Sequence, residues 1–165
     1  MRSSPVLKAF LACNAGLARI ARLAVVTQCA IMIAAILWQV AARLLINRSP
    51  PWTEEIALLM FGWIVMLMLA LGVRQHLHVR IDTVVARLPA GPARMAERAI
   101  AIMVVMIGAY MLWASISYLA EMRGTVSAAA RYPAEWLYAC APVASLLLML
   151  FSIENAVLQQ QGAGR

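Results

Sequence analysis

Four long stretches of the sequence contain no aspartate, glutamate, lysine, arginine or histidine. They cover residues 23–42, 56–73, 99–120 and 136–153. The chain is 64% hydrophobic and only 13% charged, whereas a soluble domain is typically about 45–50% apolar and about 25% charged. About 20 apolar residues in a helix can cross a hydrocarbon core of about 30 Å. The sequence therefore predicts an all-α integral membrane protein, with four transmembrane helices in a single domain over residues 1–165.

The lack of ionisable groups inside the stretches also limits what the chain can do. A carrier of ions or anionic substrates normally keeps such a group, or a broken helix, at the middle of the membrane. Only the region of Pro142, about two turns into the last stretch, offers a helix break. We therefore expect that the chain transports nothing by itself.

The sequence lacks the spacing of known metal and cofactor sites as well. Cys13, Cys29 and Cys140 are far apart and form no CxxC pair, so neither a zinc site nor a disulfide framework is indicated. His76 and His78 are two residues apart, whereas ligands on a helix are usually three or four apart. No predicted span contains a histidine that could hold haem. We expect no cofactor, no metal and no enzymatic activity.

The basic residues are distributed unequally between the two sides of the predicted membrane. Ten of the 14 Lys and Arg residues lie in the N-terminal segment, the loop after the second stretch and the tail. Four lie in the other two loops. The positive-inside rule then predicts that both termini are cytoplasmic. The net charge of +7 is explained by this bias and by contact with membrane lipid, so no nucleic-acid partner is predicted.

Two segments outside the stretches are predicted to be short amphipathic helices at the membrane surface. Residues 1–22 combine basic residues with apolar residues near helical spacing. Residues 79–88 place Ile81, Val84, Val85 and Leu88 on one face, and Pro89, Gly91 and Pro92 are expected to end this helix. Residues 154–165 have no apolar periodicity and are predicted to be a frayed polar tail.

The start of the second stretch carries a pair of acids. Thr53 is the predicted N-cap, and Glu54 and Glu55 then occupy the first turn, where the helix dipole favours carboxylates. One interpretation is a capped helix start, with an ion pair to Arg43 or Arg48. The other is a contact with another subunit. A catalytic pair is not expected, because no nucleophile or metal cluster accompanies the acids.

Arg74 marks the other end of the second stretch. His78 lies four residues from both Arg74 and Asp82, so it is predicted to pair with one of them on the same helix face. Within the spans, Trp63 and Trp113 lie near mid-depth. Packing inside the bundle is the simplest interpretation of these two tryptophans, and a flat surface for a partner's helices is the alternative.

Residues 51–82 resemble the small membrane subunit of tripartite ATP-independent periplasmic (TRAP) transporters, the DctQ family. The resemblance rests on residues at the start of the second stretch, within it, at its end and just after it: Trp52, Glu54, Glu55, Trp63, Gly72, Arg74, His78, Val79, Ile81 and Asp82. Length, span number and predicted topology are also similar. The family motif makes Trp52, Glu54, Glu55, Trp63, Arg74, His78 and Asp82 candidates for assembly.

The resemblance implies particular partners and a location. In that family a periplasmic binding protein captures the substrate, often an organic acid, and a large membrane subunit moves it with sodium. The small subunit braces the large one in the bacterial inner membrane. The alternative function is a membrane anchor or structural subunit of a respiratory or redox complex, which should show haem ligands or a quinone pocket. A small channel or antiporter should instead show polar residues along one helix face.

Overall fold

The computed structural model describes residues 5–75 and 90–162; for residues 90–94, 96–98 and 159–162 it describes the helical backbone only. The helices are α1 (Pro5–Ile46), α2 (Pro51–Arg74), α3 (Ala90–Glu121), α4 (Glu135–Tyr138) and α5 (Cys140–Gly162). Four segments are long and apolar enough to cross a membrane: Pro5–Ile46, Pro51–Arg74, Ala99–Glu121 and Glu135–Leu158. The predicted all-α class and the four spans are confirmed.

The four spans are arranged in a row. α1 packs on α2, α2 packs on α5, and α5 packs on α3. In the described ranges α1 and α3 share no substantial contact. The two inner spans are therefore more enclosed, with 33% and 39% of their apolar windows buried, against 11% and 6% for α1 and α3. The outer helices present most of their apolar surface to the surroundings.

A cluster of buried residues joins three helices of the row. Its members come from α1, α2 and α5 and are mostly alanine and leucine: Ala18, Ala21, Leu67, Ala70, Leu71, Val73, Leu147, Leu148 and Phe151. Small residues let helices approach closely in a membrane, where dispersion contacts rather than the hydrophobic effect drive packing. Phe151 is fully buried and is the largest side chain in this cluster.

The first helix is longer than predicted. It runs without interruption over 42 residues, which is about 63 Å at 1.5 Å per residue. The prediction of a separate surface helix over residues 1–22 is therefore wrong for the part described. The physical reason is that no proline ends the helix after Pro5, and that Asn14, Ala18 and Ala21 are buried at i, i+4 and i+7.

The second helix begins two residues earlier than the predicted cap. Pro51 occupies its first position and Pro50 is the N-cap, in keeping with the fixed φ of proline, which suits the first turn. Thr53 is fully buried, and its hydroxyl donates to the Pro50 carbonyl at 2.6 Å. The prediction of Thr53 as the N-cap is wrong, because its hydroxyl acts as a donor inside the first turn.

The third helix also begins earlier than the predicted span. It starts at Ala90, so Gly91 and Pro92 belong to its first turn instead of to a linker. Proline is tolerated there, because the first amides of a helix have no partner within the helix. The predicted surface helix over residues 79–88 lies outside the described residues.

The fourth span is interrupted where proline predicts a break. α4 ends at Tyr138 and α5 begins at Cys140. Pro142 has no N–H to donate to the Tyr138 carbonyl four residues earlier, so the regular ladder fails at this point. α5 then continues to Gly162, and Glu154 is 5% exposed within it. The prediction of a frayed tail from residue 154 is therefore wrong as far as Gly162.

Candidate functional site: the polar contacts at both ends of the second helix

The carboxylate of Glu55 holds the loop between α3 and α4. It accepts hydrogen bonds from the backbone N–H groups of Ala129 at 3.0 Å and Ala130 at 2.7 Å. The hydroxyl of Ser127 donates to the same carboxylate. A carboxylate bound by several donors forms charge-assisted hydrogen bonds, which are shorter and stronger than neutral ones. Glu55 thus connects the start of α2 to a loop more than 70 residues away.

The loop, residues 122–134, has a defined backbone. Val126 and Pro133 form an isolated antiparallel bridge, supported by the Ser127 N–H bond to the Tyr132 carbonyl at 2.9 Å. Arg131 has a φ of 53°, in the left-handed region that non-glycine residues rarely adopt. This turn places the Ala129 and Ala130 amides side by side, facing the carboxylate.

Tyr132 lies beside the same carboxylate. Burial raises the pKa of the Tyr132 phenol, and the negative charge of Glu55 raises it further. The Tyr132 phenol is therefore uncharged at physiological pH. The loop surrounds the Glu55 carboxylate with three hydrogen-bond donors and a neutral ring.

The two acids at the start of α2 have different roles. Glu54 is exposed and makes no hydrogen bond or ion pair with another described residue, whereas Glu55 makes the three contacts given above. The predicted ion pair to Arg43 or Arg48 is not formed, although both arginines lie in the described ranges. The sequence pair therefore divides into a structural residue, Glu55, and a free surface acid, Glu54.

At the other end of α2, Arg74 forms an ion pair with Glu154 of α5. The guanidinium makes two bonds to the carboxylate, Nε to Oε2 at 3.1 Å and Nη2 to Oε1 at 3.0 Å. The Arg74 and Glu154 side chains are 20% and 6% exposed. The guanidinium also lies 5.5 Å from the centre of the Phe151 ring, within cation–π range. The predicted pairing of His78 with Arg74 or Asp82 is not tested, because His78 and Asp82 lie outside the described residues.

Two amide side chains reinforce this end. The Asn155 amide donates to the Val73 carbonyl at 2.7 Å, which satisfies one of the last carbonyls of α2. The Asn14 amide of α1 donates to the Leu150 carbonyl of α5 at 3.4 Å. Three helices are therefore connected near Arg74 by hydrogen bonds that cross between helices.

The two mid-span tryptophans differ in their contacts and exposure. The indole N–H of Trp63 donates to the Trp136 carbonyl at 2.8 Å, and Trp63 packs against the buried cluster, as the packing interpretation predicted. Trp113 is 67% exposed, so that interpretation is wrong for Trp113. Trp52, at the start of α2, is 41% exposed.

Sequence reasoning missed several of the residues that form these contacts, namely Asn14, Ser127, Glu154 and Asn155. For Glu154 a signal existed. Arg74 is the first charged residue after the second span, and Glu154 is the first charged residue after the fourth. Both spans end on the same side of the membrane, so these two opposite charges are expected at a similar depth. No sequence signal marked Ala129 and Ala130, because their contribution is backbone N–H.

The arrangement defines an integral membrane protein whose engaged polar groups join its own helices and loop. The described residues that line a groove of about 250 Å³ between α3 and α5 are all apolar: Ala101, Ile102, Val105, Met106, Ile153, Ala156 and Val157. The contacts described here join parts of the protein to one another, and three of them engage the carboxylate of Glu55.

Comparison with protein families identifies the chain. Residues 32–162 match the DctQ family, described as "Tripartite ATP-independent periplasmic transporters, DctQ component". Because the match covers most of the 165 residues, the chain belongs to the DctQ family, the small permease component of TRAP transporters. The resemblance seen in residues 51–82 is confirmed. A search of curated proteins found no match.

Proposed function

We propose that this chain braces the large membrane subunit of a TRAP transporter and takes no part in substrate chemistry. The transporter would take up an organic acid with sodium, and a periplasmic binding protein would deliver the acid. One observation carries the proposal: Arg74 and Glu154, the ion pair between the inner spans, bind each other, while the outer helices expose long apolar faces. Such a molecule offers a partner a rigid apolar surface.

The contacts at the ends of α2 support this role. Arg74–Glu154 and Glu55 with its loop hold the inner spans at two levels, so that the row resists sliding of one helix past another. Polar groups buried in a membrane bundle must be paired to be tolerated. A brace needs this stiffness, since a moving partner exerts force on whatever holds it. Family membership favours this role over an anchor for a redox complex.

Co-purification tests the proposal most simply. The chain, tagged and expressed with the large permease subunit of the same transporter, should retain that subunit through detergent extraction. We expect recovery of the two in equal amounts. An unrelated membrane protein of similar size, carrying the same tag, serves as the control. Recovery of the large subunit no better than with that control contradicts the proposed brace.

Orientation is a second part of the proposal. With both termini cytoplasmic, residues 47–50 and 122–134 are periplasmic, and the Glu55 loop faces the binding protein's compartment. Single cysteines at Ser49 and Ala128, in a background without Cys13, Cys29 and Cys140, should react with an impermeant maleimide in intact spheroplasts. Labelling of both positions only after lysis contradicts this orientation.

A further inference from the structure

The third helix carries an exposed stripe with the spacing of a helix–helix contact. Met103, Met106, Tyr110, Trp113 and Ser117 follow one another at alternating intervals of three and four residues. Apolar residues at that mean spacing of 3.5 keep one line along a helix facing a neighbouring helix. The first four are 60–67% exposed, and Ser117 is exposed as well. We call these five residues the α3 stripe.

The α3 stripe is centred opposite the face by which α3 is already packed, and Met106 at its edge also lines the groove between α3 and α5. Gly108 is on that packed face, and a Cβ added to it would approach Met149 Cγ to 2.8 Å and Leu148 Cδ2 to 2.9 Å. α3 therefore meets α5 closely on one side. In the described ranges its other long face meets no helix at all, because α3 stands at the end of the row.

The α3 stripe contains polar atoms at a depth where lipid cannot bind them. Tyr110 is at the midpoint of the span Ala99–Glu121, and Trp113 is one turn further along. Their rings are adjacent, with centroids 6.1 Å apart. Neither the Tyr110 hydroxyl nor the Trp113 indole N–H has a hydrogen-bond partner among the described residues. Tyrosine and tryptophan facing lipid are enriched at the headgroup level, where these groups reach water.

Trp63 shows how an indole N–H within a span is satisfied when a neighbouring helix is present. Trp63 in α2 donates its indole N–H to the Trp136 carbonyl of α4. Trp113 has the same donor with no acceptor in the described chain. Because hydrocarbon offers no acceptor, a neighbouring protein segment that supplies one would satisfy this donor.

The outer face of α1 provides the contrast. Its exposed large residues in mid-span are aliphatic, among them Val26, Ile33, Ile36 and Leu37. Aliphatic side chains have no hydrogen-bonding group to satisfy, so lipid tails solvate them fully. The aromatic residue on this face, Trp38, stands nearer the end of α1 that leads into the 47–50 loop, where an interfacial anchor is expected.

From these observations we infer that the α3 stripe is the surface that receives a transmembrane helix of the large permease subunit, and that the outer face of α1 contacts lipid. The occupant is a helix that offers carbonyl or hydroxyl acceptors to Tyr110 and Trp113 and small or flexible side chains to the two methionines, which adapt to irregular surfaces. This inference rests on the proposed brace function and assigns its contact face.

Two double variants test the inference. Tyr110→Leu with Trp113→Leu removes the polar atoms and the rings of the stripe, and Ile33→Ala with Leu37→Ala truncates exposed side chains on α1. Co-purification of the large subunit should fall roughly tenfold with the first pair, because interhelical packing and two hydrogen bonds are lost together. The second pair should leave recovery unchanged. Tyr110→Phe with Trp113→Phe keeps the rings and should give an intermediate loss.

A cross-linking experiment covers the case in which a variant folds poorly. A photoreactive benzoylphenylalanine at Met106 should form a covalent product with the large subunit in native membranes, whereas the same residue at Leu37 should not. A product of two copies of this chain from Met106, with the large subunit present, overturns the inference in favour of self-association. A product with the large subunit from Leu37 alone also overturns it.

The outcomes separate the inference from the function on which it rests. If the unaltered chain fails to retain the large subunit, the proposed function itself fails. If the unaltered chain retains it, and the leucine pair at Tyr110 and Trp113 retains it equally, the brace stands and the α3 stripe is not its contact.

Discussion

The two ends of α2 are held by different kinds of polar contact. At the start of the helix, one carboxylate is bound by two backbone amides and a hydroxyl from a loop. At the end, a carboxylate and a guanidinium from two helices bind each other, with little exposure. The first contact depends on the conformation of a loop and the second on two side chains. Equal losses of charge at the two ends should therefore have unequal effects.

The expected difference follows from the surroundings of the two contacts. A loop can turn several N–H groups toward one anion, and water remains close enough to replace them when the anion is lost. A pair between packed helices has no such replacement, because a charge left alone there is cut off from water. The Arg74 end should therefore govern the stability of the chain, and the Glu55 end should govern the order of the loop.

The largest effect is expected for Arg74→Ala. This change leaves the Glu154 carboxylate buried without its partner, which in comparable buried pairs costs about 3–5 kcal/mol. Unfolding of the purified chain in mixed detergent micelles, followed by circular dichroism, measures the loss. Replacing both residues, as Arg74→Met with Glu154→Met, should cost less than the single change, because no buried charge remains. A double variant less stable than Arg74→Ala contradicts this account of the ion pair.

A smaller and local effect is expected for Glu55→Gln. The amide keeps the size of the side chain and loses the charge that attracts the Ala129 and Ala130 amides. Hydrogen exchange at those two amides should become about tenfold faster or more, reporting local opening of the loop rather than unfolding of the helices. Glu54→Gln is the matched control, since Glu54 makes no contact with another described residue. Equal acceleration by both changes contradicts the division of roles between the two acids.

The smallest effect on the isolated chain is expected between the ends, at the tryptophans. Trp63→Phe removes one hydrogen bond to the Trp136 carbonyl, with a typical cost of about 0.5–1.5 kcal/mol. Trp113→Phe should leave the stability of the isolated chain unchanged, because its ring is exposed. Unfolding in the same micelles compares the two. A larger loss of stability from Trp113→Phe than from Trp63→Phe would show that Trp113 makes an internal contact, which contradicts this account.

Much of the fold could be predicted from the sequence, because membrane spanning depends on a simple property. The absence of charged residues predicted the four spans, and Pro142 predicted the position of the helix break. Glu154 was predicted wrongly, since the first charge after an apolar run usually marks the exit to water. Here Arg74, from a helix 80 residues away, meets it and makes its burial tolerable. Sequence order alone does not show that pairing.

The order of the helices in the row could not be predicted either. All four spans are apolar along their length, so their composition does not distinguish inner from outer positions. The partners of Glu55 were hidden for a different reason. Ala129 and Ala130 act through backbone N–H, which every residue except proline carries, and only the turn at Arg131 aims these groups at one point. Loop geometry of this kind has a weak sequence signal.

At the two ends of α2 the charged groups Arg74, Glu154 and Glu55 join parts of the chain to one another, and we propose on this ground that the chain alone carries no substrate through the membrane. Reconstitution into liposomes tests this claim most directly. With an inward sodium gradient, the purified chain alone should show no uptake of a radiolabelled organic acid. Addition of the large subunit and the binding protein should produce uptake, and omission of this chain should abolish it. Sodium-driven uptake by this chain alone would contradict the account.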